Sequence, residues 1–96
     1  MEKYYYVYIL ASQKNGTLYI GMTSNLVRRT WQHKEKVVSG FTADYYVSLL
    51  VYFEEYAEVE DAIRREKQLK KSNRAWKLEL IEKNNPKWDD LYEVIK

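Results

Sequence analysis

The sequence predicts an α+β fold: a three-stranded antiparallel sheet flanked by helices, in the order β-β-α-β-α-α. Three observations predict it. Two runs of aromatic and β-branched residues, 4–10 and 17–21, flank an Asn15-Gly16 turn signal and read as a hairpin. A third β-rich run, 47–53, stands apart from them. Between and after these runs the apolar residues recur at helical spacing.

Each element follows in turn. Residues 4–10 contain no breaker, and alternation puts Tyr4, Tyr6 and Tyr8 on one face and Tyr5, Val7 and Ile9 on the other. Thr23, Ser24 and Asn25 are candidate N-caps for a helix over 26–36. Gly40 breaks that pattern, and 41–46 reads as a loop. Val59, Ala62, Ile63 and Leu69 line one face of a helix over 58–71. Ser72-Asn73 interrupts, and a further helix over 74–83 ends at Asn84-Asn85-Pro86. Residues 88–95 read as one more short helix against the core. With 96 residues, no repeats and no linker, the chain reads as a single domain over 1–96.

Composition narrows the function classes. There is no cysteine, so disulfides and thiolate-bound zinc are excluded. The single histidine, His33, cannot build a histidine-rich metal site. No run spans a bilayer and the start does not read as a signal peptide, so the expected location is cytoplasmic. Only three glycines occur, widely separated, and no phosphate-cradling loop is present. The net charge is only +2, but it is unevenly placed. An acidic stretch (Glu54, Glu55, Glu58, Glu60, Asp61) precedes a basic one holding Arg64, Arg65, Lys67, Lys70, Lys71, Arg74 and Lys77. A second basic group holds Arg28, Arg29, Lys34 and Lys36. Such groups neutralise phosphates, although the same pattern also suits a solvated helix face.

Three features point to chemistry. Glu66 falls on the apolar stripe of its helix, three residues after Ile63 and seven after Val59. A carboxylate there needs a cation, a hydrogen-bond partner or a route to solvent, and pairing with Lys70 is the simple alternative. Arg29 and His33, four residues apart, share a helix face. Tyr6, Tyr8 and Tyr19 sit on neighbouring strands, where their hydroxyls can converge or merely reach the surface. A cluster of Tyr, Arg, His and Glu suits phosphoryl transfer.

The order Tyr6-Val7-Tyr8, Tyr19-Ile20-Gly21, Arg29 and Glu66 resembles the GIY-YIG nuclease superfamily. The likeness extends along Leu18-Tyr19-Ile20-Gly21-Met22-Thr23-Ser24-Asn25-Leu26-Val27-Arg28-Arg29, Glu66-Lys67-Gln68-Leu69-Lys70-Lys71 and Asn85-Pro86-Lys87-Trp88. It is similar to small single-domain bacterial members related to the N-terminal nuclease domain of the bacterial excinuclease. The resemblance implies a metal-dependent endonuclease acting on nucleic acid, DNA ahead of RNA, in repair or processing. It implies catalytic roles for Tyr8, Tyr19, Arg29, His33 and Glu66, with Glu66 holding Mg²⁺ or Mn²⁺. On that scheme Tyr8 accepts the proton of the attacking water, which requires a phenol with a lowered pKa. Tyr6 and Asn85 are further candidates. Nucleic-acid contacts are expected from Arg28, Lys34, Arg65, Lys70, Lys71, Arg74 and Lys77. The first motif lacks its glycine and isoleucine, and 37–46 matches no feature. A non-catalytic nucleic-acid-binding module on the same fold is the alternative. A protein-interaction domain with Trp76 and Trp88 as exposed anchors is a third reading.

Overall fold

The computed structural model describes residues 3–37 and 40–96. The chain start and part of the unassigned 37–46 stretch therefore lie outside the described residues. Three strands, β1 (Tyr5–Ala11), β2 (Leu18–Thr23) and β3 (Leu49–Tyr56), form one antiparallel sheet in the order β2-β1-β3. The helices are α1 (Leu26–Lys34), α2 (Phe41–Asp44), α3 (Val59–Lys71), α4 (Arg74–Asn84) and α5 (Tyr92–Ile95). The predicted α+β architecture is present. The difference lies in 41–46, read as a loop, where Phe41–Asp44 makes a single helical turn. Too short to carry a periodic pattern, that turn leaves no signal in the sequence. The third strand also runs on to Tyr56, because Tyr52, Glu54 and Tyr56 continue the alternation beyond Phe53.

Local chemistry explains the boundaries. At the hairpin, Asn15 takes a left-handed φ of 59°, a conformation that asparagine tolerates. The Ser12 hydroxyl accepts from the Thr17 amide at 2.9 Å and closes the loop. Asn25 caps α1 by accepting from the Arg28 amide at 3.1 Å, and Asn73 caps α4 through the Trp76 amide at 2.8 Å.

Both faces of the sheet are covered, which divides the core in two. Val7, Ile9, Ala11 and Ile20 pack with Ala62 and Leu69 of α3, Ile81 of α4 and Trp88. On the opposite face Tyr8, Leu10 and Leu50 pack with Leu26 of α1, Val47, Leu91 and Ile95. Trp88 is 4% exposed, so it is a core residue and not the exposed anchor that the third reading needs. Opposite the Ile9/Leu10 step the register slips, Ile9 facing Tyr52 and Leu10 facing Leu50. Val51 is the extra residue of this bulge. The buried Asn85 amide donates to the Val51 carbonyl at 3.0 Å and to the Asp89 carbonyl at 2.9 Å. Asn85 thus satisfies backbone that the bulge leaves unpaired, and it has no place in the site described below. No helix among the described residues is long and apolar enough to cross a membrane.

Candidate active site

Tyr8 is the hub of the site. It lies on the central strand, opposite Gly21 of the edge strand β2. Its phenol crosses directly over Gly21, where a Cβ would stand 2.5 Å from the ring's Cζ. Only glycine leaves room for that path. The Tyr8 hydroxyl meets His33 Nε2 at 3.2 Å, and His33 Nδ1 meets the Thr42 hydroxyl of α2 at 3.0 Å. Tyr19 packs beside both, its ring centroid 6.4 Å from that of Tyr8 and 5.5 Å from that of His33. On its far side Tyr19 stacks on Phe41.

The charged members act electrostatically on the same phenol. Burial pushes the Tyr8 phenol well above its ordinary range, nearby Tyr19 and Glu66 push the same way, and the Arg29 guanidinium pulls it down. Tyr19, Arg29 and Glu66 therefore all act on one hydroxyl, although they come from β2, α1 and α3. Burial, helped by Arg29, also lowers the pKa of His33 and so favours the neutral imidazole. The lowered phenol that a solitary Tyr8 base requires is not what the protein alone provides.

Glu66 keeps a partly exposed carboxylate, its side chain 21% accessible, with Lys70 3.4 Å away. Lys70 itself is 54% exposed, and such surface pairs contribute only about 0–1 kcal/mol, so the lysine is a weak competitor for a cation. No group of three or more His, Cys, Asp or Glu side chains with metal-site geometry occurs among the described residues. The chain would therefore offer one hard carboxylate oxygen donor, leaving other positions to water and phosphate. A single carboxylate completed by water and phosphate oxygens is a donor set that Mg²⁺ can take.

The expected basic contacts divide. Lys70, Arg74 and Lys77 line a groove of about 480 Å³ with Thr17, Leu18, Tyr19 and Ile20 of the hairpin. Arg74 also donates to the Asn15 and Gly16 carbonyls at 2.7 and 2.6 Å, and Lys77 to the Ser72 carbonyl at 2.8 Å. Arg28 shares a polar depression with Arg29, Gln32 and the 23–25 turn. Lys71 faces elsewhere, with Gln68, Ser72 and Trp76. Two expectations need correcting. Lys34 is engaged by Asp90 and the Ser48 carbonyl, pinning α1 to the chain's end. Arg65 holds Glu54 through two nitrogens at 2.8 Å each and lies over the Trp76 ring, so it serves the protein's own carboxylate rather than a phosphate. Tyr6 donates to Glu55 at 3.0 Å.

Sequence reasoning misses two features. Thr42 lies in the unassigned stretch and carries no signal. The Glu54 network, fed by Tyr52, Tyr56 and Arg65, is visible as Tyr-x-Glu-x-Tyr on one strand face, but only once the strand is extended past its apolar run. Because Arg65 precedes Glu66 on α3, this network also fixes the helix that carries the site's acid.

A glycine thus lies under a buried tyrosine whose hydroxyl meets a histidine, with an arginine and a glutamate near enough to act on it electrostatically. Residues 4–79 match the GIY-YIG catalytic domain, and the chain belongs to that family. Among relatives, the UPF0213 protein CPE1444 of Clostridium perfringens is 38% identical over 88 residues, covering 92% of each chain. The UPF0213 protein of Pediococcus pentosaceus is 34% identical over 80 residues, covering 83% of each. The solution structure of the UPF0213 protein BH0048 from Bacillus halodurans superposes with a TM-score of 0.57 at 26% identity, covering 97% of this chain and 98% of that one.

Proposed function

We propose that this protein is a metal-dependent endonuclease hydrolysing phosphodiester bonds in nucleic acid, DNA ahead of RNA, in a repair or processing role. The observation that supports the reading is the Tyr8 hydroxyl bonded to His33 with Tyr19 packed beside both, near enough to Arg29 and Glu66 for their charges to act on the phenol. A bound Mg²⁺ or Mn²⁺ at Glu66 would supply charge stabilisation at the phosphate and the leaving oxygen.

The chain's own groups do the rest. Arg29 pairs with the nonbridging oxygens, where charge accumulates as water adds to phosphorus. Tyr8 works with His33 rather than alone, because burial keeps the phenol protonated. As the phenolic oxygen takes a proton from the attacking water, its own proton passes to the neutral His33 Nε2, 3.2 Å away. Tyr19 bounds the pocket on the β2 side. Lys70, Arg74 and Lys77 hold the neighbouring phosphates in the groove.

A second reading, a nucleic-acid-binding module without turnover, draws support from the Lys70–Glu66 pair, which neutralises the acid without a metal. One experiment separates the two. Single-stranded, duplex and branched DNA, with matching RNA, are incubated with the protein and Mg²⁺ or Mn²⁺, with and without chelator. A nuclease gives metal-dependent cutting that disappears on chelation and in Glu66→Ala. Salt-sensitive binding without any cutting supports the module instead.

A further inference from the structure

Apart from tyrosine and tryptophan, four polar side chains are buried among the described residues: Thr30, His33, Thr42 and Asn85. Thr30 and Asn85 serve backbone carbonyls. The other two are bonded to each other across α1 and α2. We propose that Thr42 is a positioning residue: it holds the His33 proton on Nδ1, so that the Nε2 lone pair faces Tyr8 and a proton can leave the phenol in one direction only. The use of this arrangement in catalysis rests on the nuclease reading, whereas the tautomer itself does not.

Counting protons leads to this assignment. A neutral imidazole carries one N–H, and here both ring nitrogens have partners. If the proton sat on Nε2, it would point at the Tyr8 oxygen, and the phenol would have to place its own proton elsewhere. Tyr8 is 1% exposed, so its O–H needs an acceptor inside the protein. His33 Nε2, at 3.2 Å, is within reach as that acceptor. The imidazole proton is then on Nδ1 and needs an acceptor of its own. The Thr42 hydroxyl oxygen, at 3.0 Å, takes that role; three protons serve these two contacts, so one hydroxyl must turn its proton away, and Thr42, 4% exposed against 1% for Tyr8, is the one that does.

Thr42 is held firmly enough to do this. Its carbonyl accepts from the amide of the core residue Val47 at 3.0 Å. Its neighbour Phe41 stacks on Tyr19. The groups facing the ring are Tyr8 from β1, Tyr19 from β2 and Arg29 from its own helix, and the guanidinium disfavours a second proton on the imidazole. During turnover the phenolic proton adds to Nε2, and the resulting imidazolium keeps its Nδ1–H bond to Thr42.

The test uses the fact that His33 is the chain's sole histidine. In ¹⁵N-labelled protein near neutral pH, long-range ¹⁵N–¹H spectra give its two ring nitrogens without ambiguity. We expect a protonated Nδ1 and an unprotonated Nε2. Thr42→Val, similar in shape but unable to accept, moves the population toward the Nε2–H form and lowers kcat about tenfold with little change in KM. Thr42→Ser keeps both the tautomer and the rate. Wild-type protein carrying its proton on Nε2, or a Thr42→Val variant that stays Nδ1-protonated, overturns the proposal. Should Thr42→Val fail to fold, the wild-type and Thr42→Ser spectra decide it. A wild-type Nδ1–H signature in protein that cuts no nucleic acid supports the tautomer assignment while removing the nuclease reading.

Discussion

Replacing Gly21 with alanine adds one methyl group at the point where the site is tightest. A Cβ there would lie 2.5 Å from Tyr8 Cζ and 3.1 Å from Cε1. Carbon atoms sit comfortably at about 3.5–4.0 Å, so the ring must retreat by about 1 Å. It has little room to do so, because Tyr8 is 1% exposed and packs in the cluster with Leu10 and Leu26, with Tyr19 beside it. Overpacking of this kind costs about 1–3 kcal/mol. For a domain of this size each kcal/mol lowers Tm by about 4–8 °C. A shift of about 1 Å also takes the hydroxyl off its 3.2 Å contact with His33, and misplacement on that scale costs about a hundredfold in rate. Thermal unfolding and single-turnover cleavage of the variant measure both effects. Gly21→Ala with unaltered Tm and unaltered rate would show that the phenol does not cross β2 at this position, and the assembly of the site around it would have to be abandoned.

Two further outcomes follow from the charges. Stability should decline with acid in two stages. His33 has a folded pKa below its ordinary value of 6.5, so the unfolded chain takes up its proton first and stability begins to fall below about pH 6.5. Burial pushes the Glu54 carboxyl up, but hydrogen bonds from Arg65, Tyr52 and Tyr56 outweigh it and leave the pKa below the ordinary 4.5, which starts a second decline below about pH 4.5. Tm measured against pH tests this, and His33→Gln should remove the upper stage alone. In the groove, Arg74→Ala and Lys77→Ala should each flatten the dependence of log K on log salt by about 0.7–0.9, read from DNA binding across a salt series, whereas Lys34→Ala should leave that slope intact.

The architecture is legible in the sequence because strands and long helices announce themselves through alternation and spacing. Tyr8, Tyr19, Arg29 and Glu66 are picked out instead by the resemblance to GIY-YIG nucleases, since spacing alone leaves Tyr6 as eligible as Tyr8 and gives Glu66 a lysine partner. What the sequence conceals is tertiary. Lys34 and Arg65 resemble free cations until Asp90 and Glu54, distant in the chain, are seen to hold them. Asn85 resembles a polar site residue until the bulge at Val51 gives it a carbonyl to satisfy. Thr42 is invisible because a single helical turn has no period. Gly21 is recognisable as part of a pattern, yet its reason, a tyrosine from the next strand lying across it, exists only in the folded chain.

The proposed mechanism turns on Arg29 meeting the reacting phosphate beside Tyr8. The most direct measurement is a single-turnover cleavage rate for Arg29→Ala, at saturating protein and Mn²⁺, set beside the variant's DNA affinity. The expected result is a rate lower by about a hundredfold or more with affinity changed far less, since the guanidinium acts where charge develops. A variant that cuts as fast as the wild type, or loses only affinity, would contradict it.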